Sequence, residues 1–429
     1  MKKRSLLSVA LILAMMFSLC SCGTTPADEG EAEDDVITIT FGSPWWGESG
    51  RDVLWQGFAE SFHEAYPQYK LEGIYIPYAD FNDKMKTLVA AKEEPTIFYL
   101  QEYNFYQWLE DGYLAPIDEC FDVSAVYDDL AVKESQDLVL HDGQYYGLVV
   151  ETCPYSGLIY NKELFEANGV ELPQNAEEYL ELAKSLTNAD GSQYGTIAAN
   201  TSDNLNYIMQ ASMPYIMGFG GRIADEDGNF TVNQPEFVEG VEYYVELATL
   251  CSPAFTEYST QRSVFFEGKV AMVSDGGYFI DWAAGENESL ASNLDVAVLP
   301  MEDPATPTDL TYFGLSANAT EEEKEAVGAF LSWWCTPEVQ QAWIESCGYP
   351  VTMASAASEE YRAANEWYAV YENIAAYGIG LAVPGHEADS ISIRNTVAEY
   401  IVECIEKTDA DVQSIMDACK AELDAEFSS

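Results

Sequence analysis

Short β-branched runs alternate along the chain with stretches whose apolar positions recur at helical spacing. Val36-Ile37-Thr38-Ile39-Thr40-Phe41 reads as a strand, broken at once by Gly42-Ser43-Pro44-Trp45-Trp46-Gly47. Leu54 to Tyr66 sets Leu54, Trp55, Phe58, Phe62 and Tyr66 on one helical face and stops at Pro67. Lys70 to Pro77 predicts a second strand, Phe81 to Lys92 a helix and Thr96 to Leu100 a third strand. Strand–helix–strand at these lengths predicts a parallel sheet with crossover helices. Further helices are expected from Glu177 to Leu186, Pro235 to Leu250, Glu321 to Trp334, Pro337 to Ser346 and Ile391 to Glu406. Asp225-Glu226-Asp227-Gly228-Asn229 lacks the spacing and distal acid of a calcium loop and reads as a hairpin turn.

The amino terminus carries a different pattern. Lys2, Lys3 and Arg4 precede an apolar run from Leu6 to Leu19, the length of a signal-peptide core and short for a membrane span. The run ends in Leu19-Cys20-Ser21-Cys22-Gly23, which resembles a bacterial lipoprotein box with Cys22 as the lipid-modified residue. Residues 1–21 are therefore expected to be a signal peptide. Residues 22–35, polar, acidic and without large apolar side chains, are expected to form a tether.

Composition narrows the class. With 429 residues the chain exceeds what one core supports, so at least two lobes are expected. Against 19 Lys+Arg stand 73 Asp+Glu, a net charge of −54 that becomes −57 once the three basic residues of the signal are removed. That balance excludes a nucleic-acid binder by default, because phosphate neutralisation needs clustered cations, and at long range it repels anions. Nine cysteines leave seven in the body after Cys20 and Cys22. An odd number at irregular spacing, with no CxxC, reads as mostly buried thiols.

Enzyme signals are sparse. The chain has no phosphate-binding GxxxxGK[ST], and Gly314-Leu315-Ser316-Ala317-Asn318 lacks the final glycine of a nucleophile elbow. His63, His141 and His386 stand far apart, so no metal motif and no cofactor are expected. Trp45 and Trp46 are more informative. They follow the first strand, at the sheet end where open α/β folds bind ligands, and flat aromatic faces suit the apolar faces of sugar rings.

Several segments in order resemble the bacterial extracellular solute-binding proteins of the maltose-binding type (family 1). They are the first strand with its Trp pair, Phe58-x3-Phe62-x3-Tyr66-Pro67, Gly112-Tyr113-Leu114-Ala115-Pro116-Ile117-Asp118, and Asp142-Gly143-Gln144-Tyr145-Tyr146-Gly147-Leu148 through Gly157-Leu158-Ile159-Tyr160-Asn161-Lys162-Glu163-Leu164-Phe165. Gly220-Gly221-Arg222, Phe266-Glu267-Gly268-Lys269-Val270-Ala271-Met272 and Glu325-Ala326-x3-Phe330-Leu331-x5-Pro337-Glu338 continue the series. The chain departs from the family at Ala91-Lys92-Glu93-Glu94-Pro95-Thr96, at Val149 and at Lys407-Thr408-Asp409.

The resemblance implies a two-lobed α/β fold of the type II periplasmic-binding-protein kind, each lobe a mixed, mostly parallel sheet flanked by helices, with the ligand cleft at the hinge. It implies a first lobe of residues 36–150 plus 273–315 and a second of 151–272 plus 316–429. Crossings are expected near Val150–Tyr155, Met272–Gly277 and Gly314–Ala317. Cleft residues carried over are Trp45, Trp46, Glu102, Tyr103, Glu151, Tyr155, Asp275, Gly277, Tyr278, Tyr312, Tyr349 and Arg394. The implied function is a monomeric carbohydrate receptor, anchored to the outer face of the membrane through Cys22, that serves the permease pair of an ATP-binding-cassette importer. A receptor for another solute, such as a polyamine or peptide, and a cell-surface glycan hydrolase are the alternatives. Surplus cleft carboxylates would favour the polyamine, and two carboxylates ~5–9 Å apart with product release the hydrolase.

Overall fold

The computed structural model describes residues 36–47, 51–254, 256–407 and 409–427. The signal peptide, Cys22 and the tether lie outside the described residues. Among the described residues there are twelve strands, β1 (Ile37–Ser43), β2 (Tyr69–Tyr75), β3 (Ile97–Gln101), β4 (Leu114–Ala115), β5 (Leu140–His141), β6 (Gln144–Tyr145), β7 (Gly147–Pro154), β8 (Gly157–Asn161), β9 (Met272–Asp275), β10 (Leu294–Val298), β11 (Thr306–Ser316) and β12 (Gly378–Ile379).

The first lobe is built on a sheet in the order β12-β11-β3-β1-β2, with β4 and β7 also paired to β11. Its first three strands are parallel, as the strand–helix–strand pattern predicts, and β1 runs in register with β2 from Ile37↔Tyr69 to Ser43↔Tyr75. The long strand β11 enters antiparallel to β3 and β7. All eleven of its residues are buried, since it is covered on both faces.

The second sheet departs from the expected parallel pairing. In the order β10-β8-β9, both ladders are antiparallel. Strand β8 runs away from the hinge, whereas β9 and β10 both run toward it and end opposite Gly157 at Asp275 and Val298.

These pairings also correct the lobe boundaries. Met272–Asp275 and Leu294–Val298, expected mostly in the first lobe, are strands of the second sheet. The helices Glu321–Trp334 and Pro337–Cys347, expected in the second lobe, pack on the first: Trp334 stacks on Trp55 at 5.6 Å, and Trp343 meets Trp45 at 4.8 Å. The crossings consequently lie at β7–β8, between β10 and β11, and between the helices Pro337–Cys347 and Tyr368–Ala375, the second of which reaches β9 where Tyr371 donates to Asp275 O. Only the first coincides with an expected crossing. Similar apolar periodicity marks helices of either lobe, so the sequence pattern carries no lobe label for them.

Helix ends follow local chemistry. Thr320 and Glu323 form a reciprocal capping box, and Pro337 occupies the first turn of its helix. The helix Leu205–Gly218 escaped the periodicity reading because it is buried along most of its length and contains Pro214. Asp225 closes its turn by accepting from the backbone of Asp227 and Asn229. Five of the seven body cysteines are buried, and Cys120 and Cys335 are partly so.

Candidate ligand-binding cleft

Three spaces with shared lining residues lie between the lobes. An inner chamber of about 90 Å³ is walled by Trp45, Tyr99, Tyr155, Tyr278, Trp282 and Tyr349. A space of about 10 Å³ at Tyr78, Tyr155 and Asp309, here the neck, shares lining residues with it and with a third of about 300 Å³, here the outer chamber, bounded by Gln101, Tyr103, Asn206 and Arg394. Tyr78 belongs to all three. The lobes touch across the neck, where Asn206 Nδ2 of the second donates to the Tyr78 hydroxyl of the first at 2.6 Å.

The polar groups of the inner chamber form two sets. On one side Tyr349 donates to Glu151 Oε2 at 2.9 Å, Arg51 donates to the Tyr349 hydroxyl at 3.1 Å, and Arg51 lies 3.9 Å from Glu151. Burial raises the Glu151 carboxyl and the Arg51 guanidinium opposes it. On the other side Gln101 Nε2 donates to both oxygens of Asp309, at 3.0 and 2.8 Å, and Tyr155 donates to Oδ2 at 3.2 Å. Asp309 too is raised by burial, against the lowering effect of those donors. Behind the wall, Asp275 accepts from Tyr278, Tyr258 and Gln210. The buried carboxylates are thus held by donors of the protein itself, as buried charge requires.

Seven of the twelve carried-over residues line these spaces: Trp45, Glu151, Tyr155, Tyr278 and Tyr349 the inner chamber, Tyr103 the outer, and Arg394 the neck and outer chamber. Five do not. Trp46 packs over Gly73, where a side chain would collide with its ring. Glu102 accepts from the backbone N–H of Leu381 and Ala382 at 2.8 and 2.7 Å, and burial lifts its pKa to about 7. Asp275 stands behind Tyr278. Gly277 abuts Gly348 so closely that a Cβ would fall 2.3 Å from its carbonyl oxygen. Tyr312 is buried in the first lobe and donates to Ser135 O at 2.5 Å. Trp45, although it borders the inner chamber, is 1% exposed and stacked on Trp55 at 5.5 Å, so it is also part of the first lobe's aromatic core.

Arg51, Tyr78, Tyr99, Tyr207, Arg262, Trp282 and Asp309 line the cleft without having been anticipated. One signal was available. In so acidic a chain, an arginine inside an apolar helical pattern, as at Arg51 before Trp55 and Phe58 or Arg262 before Phe265, marks a cation with a task in the interior.

Two lobes joined by crossing strands around a cleft of aromatic rings, amides and hydroxyls define a protein that binds a small ligand between its lobes. The sequence matches the family described as bacterial extracellular solute-binding protein over residues 57–369, and the chain belongs to that family. It is 25% identical over 328 residues to the maltotriose-binding protein of Pyrococcus abyssi, covering 70% of this chain and 66% of that one, just under two thirds of its length. Over 347 residues it is 22% identical to the diacetylchitobiose-binding protein of Streptomyces coelicolor, covering 77% and 72%. The fold is similar to that of the GacH receptor of Streptomyces glaucescens, solved unliganded and with acarbose: the TM-score is 0.78 at 20% identity, with 90% of this chain and 97% of that one covered.

Proposed function

We propose that the protein is the carbohydrate receptor of an ATP-binding-cassette importer, held on the outer face of the membrane through Cys22 and acting as a monomer. The observation that carries the sugar reading is the cleft's composition: aromatic walls at Trp45, Tyr78, Tyr99, Tyr155 and Trp282 interleaved with hydroxyl and amide groups. Aromatic faces take the C–H faces of a pyranose while hydroxyls and amides take its polar edge. A polyamine would need a surplus of uncompensated carboxylates, whereas Glu151 and Asp309 accept from side chains of the protein and share their chamber with Arg51 and Arg262. The relatives' named ligands, maltotriose and diacetylchitobiose, support the same class.

In this reading rotation about the three crossings opens the cleft, ligand contacts on both lobes favour closure, and the closed surface engages the permease pair. Binding to the folded form stabilises it by ~2.7 kcal/mol at a hundredfold excess over Kd, and a body of about 390 residues then melts ~3 °C higher. A panel of mono- and oligosaccharides is expected to contain members giving such a shift, recovered unchanged. Shifts from polyamines or peptides alone would overturn the sugar claim. Release of the sugar as products, abolished by Glu151→Gln, would overturn the receptor claim in favour of the hydrolase.

A further inference from the structure

The arginines of the molecule divide sharply. Among the described residues Arg51, Arg222 and Arg362 each have a carboxylate within 4.0 Å, namely Glu151, Asp303 and Glu372. Arg262 and Arg394 have none, although the chain carries 73 acids. Both line the cleft, Arg262 the inner chamber and Arg394 the neck and outer chamber.

Neither is a surface residue that water could serve freely. Arg394 is 5% exposed, and its hydrogen bond is a long one, 3.4 Å to Asn206 Oδ1. Arg262 is half-buried and donates to the Tyr207 hydroxyl at 3.4 Å. Its guanidinium carbon lies 5.2 Å from the centroid of Tyr207, 5.5 Å from Tyr258 and 5.1 Å from Trp282. Arg394 lies 5.4 Å from the Tyr103 ring. Aromatic rings hold these cations in place while leaving most of their N–H donors unused. The nearby acids act on them only at a distance, Asp275 on Arg262 and Glu102 and Asp309 on Arg394; their hydrogen bonds go elsewhere, Asp275 accepting from Tyr278, Tyr258 and Gln210, Asp309 from Gln101 and Tyr155, and Glu102 from the Leu381 and Ala382 N–H groups. A guanidinium at a cleft wall, with donors not bonded to protein groups, is placed to take an oxyanion in its fork.

We propose that the ligand is an acidic oligosaccharide, whose sugar oxyanions, uronate carboxylate or sulfate ester, are taken by the donor forks of Arg262 in the inner chamber and Arg394 further along the cleft. This rests on the carbohydrate reading above and narrows it. The charge of −57 left after signal removal does not forbid it, because exposed acids beyond ~8 Å are screened at physiological salt whereas the two guanidinium groups would be in contact with the ligand.

The test measures binding by the intact mature protein, using calorimetry and melting shifts, with four probes of matched length: an oligogalacturonide, its methyl ester, a neutral galacto-oligosaccharide and a sulfated one. At least one acidic probe is expected to bind tenfold or more tighter than its neutral counterpart, and which of the two does so tells carboxylate from sulfate. Arg262→Gln and Arg394→Gln are each expected to reduce that preference at least tenfold, read on protein whose melting temperature without ligand is retained. The wild-type comparison needs no variant and stands if either fails to fold. Neutral probes binding as tightly as acidic ones would overturn the acidic class and leave the sugar receptor intact. Binding of no glycan of any charge would overturn both.

Discussion

The tryptophans of the first lobe and the tyrosines of the cleft use aromatic rings in opposite ways. Around Trp55, the rings of Trp45, Trp334, Trp343, Phe41 and Phe58 meet at centroid separations of 4.9–5.7 Å, stacked, tilted or edge-on. The indole N–H groups of Trp55 and Trp343 have no hydrogen-bond partner, so these side chains contribute through area and dispersion. The cleft tyrosines are also buried, but their hydroxyls are engaged: Tyr155 with Asp309, Tyr278 with Asp275, Tyr349 with Glu151 and Tyr78 with Asn206. Burial alone therefore does not separate core from site. What marks the cleft tyrosines is the partner: Tyr155, Tyr278 and Tyr349 donate to carboxylates, whereas the core hydroxyl of Tyr312 goes to a backbone carbonyl.

The strongest way to break that comparison is Trp55→Ala. Trp55 is 0% exposed and touches rings from β1, its own helix and the two helices that follow β11. Its truncation is expected to cost ~3–5 kcal/mol, read as a fall in the denaturant midpoint at unchanged slope. Trp45→Ala is expected to cost nearly as much, because that ring is 1% exposed and packs against Trp55, Tyr99 and Trp343. A loss below ~1 kcal/mol for both would return them to the ligand side of the comparison.

Element positions were largely legible because short strands and amphipathic helices print their period directly. The first strand, the helix Arg51–Ala65 and the helix Glu321–Trp334 all fall within three residues of expectation. The site was less legible for a definite reason. Residues such as Tyr78, Arg262 and Asp309 meet only because three crossings fold distant segments onto one cleft, and nothing local marks a tyrosine as cleft rather than core. Glu102 shows the converse: an acid right after a sheet strand looks like a ligand contact, yet it is consumed by two backbone N–H groups of residues 381 and 382.

That carboxylate supplies a second test, which separates acids that hold the chain together from acids that face the cleft. Burial lifts Glu102 to about 7, above its unfolded value near 4.5. A raised folded pKa means that the folded state keeps the proton longer. The contribution is fully present below about pH 4.5 and is lost as pH rises through about 7. Glu102→Gln keeps the acceptor for Leu381 and Ala382 but cannot ionise. Relative to wild type it is expected to gain ~1–3 kcal/mol between about pH 5 and pH 8 and little below, measured as the difference between two melting-temperature profiles. A difference that does not vary with pH would mean that Glu102 titrates at the same pH in the folded and unfolded chain.

The smallest expected change in stability is the most informative about the cleft. Tyr155→Phe removes one hydroxyl that donates to Asp309 and leaves the two bonds from Gln101 in place, so the acid is not orphaned. The ring, 6% exposed, still fills its space. The stability loss should therefore be that of one hydrogen bond to a charged group already well served, ~1 kcal/mol. The effect on binding should be proportionally larger. Tyr155 borders both the inner chamber and the neck, and its hydroxyl fixes the orientation of the carboxylate that a ligand hydroxyl would meet there. A fall in affinity of about tenfold, ~1.4 kcal/mol, beside a melting temperature lowered by only a degree or two would place the tyrosines on the binding side of the comparison. Unchanged affinity with a stability loss of several kcal/mol would make Tyr155 a core residue like Trp55, and the engaged hydroxyl would then be a feature of buried tyrosine in general.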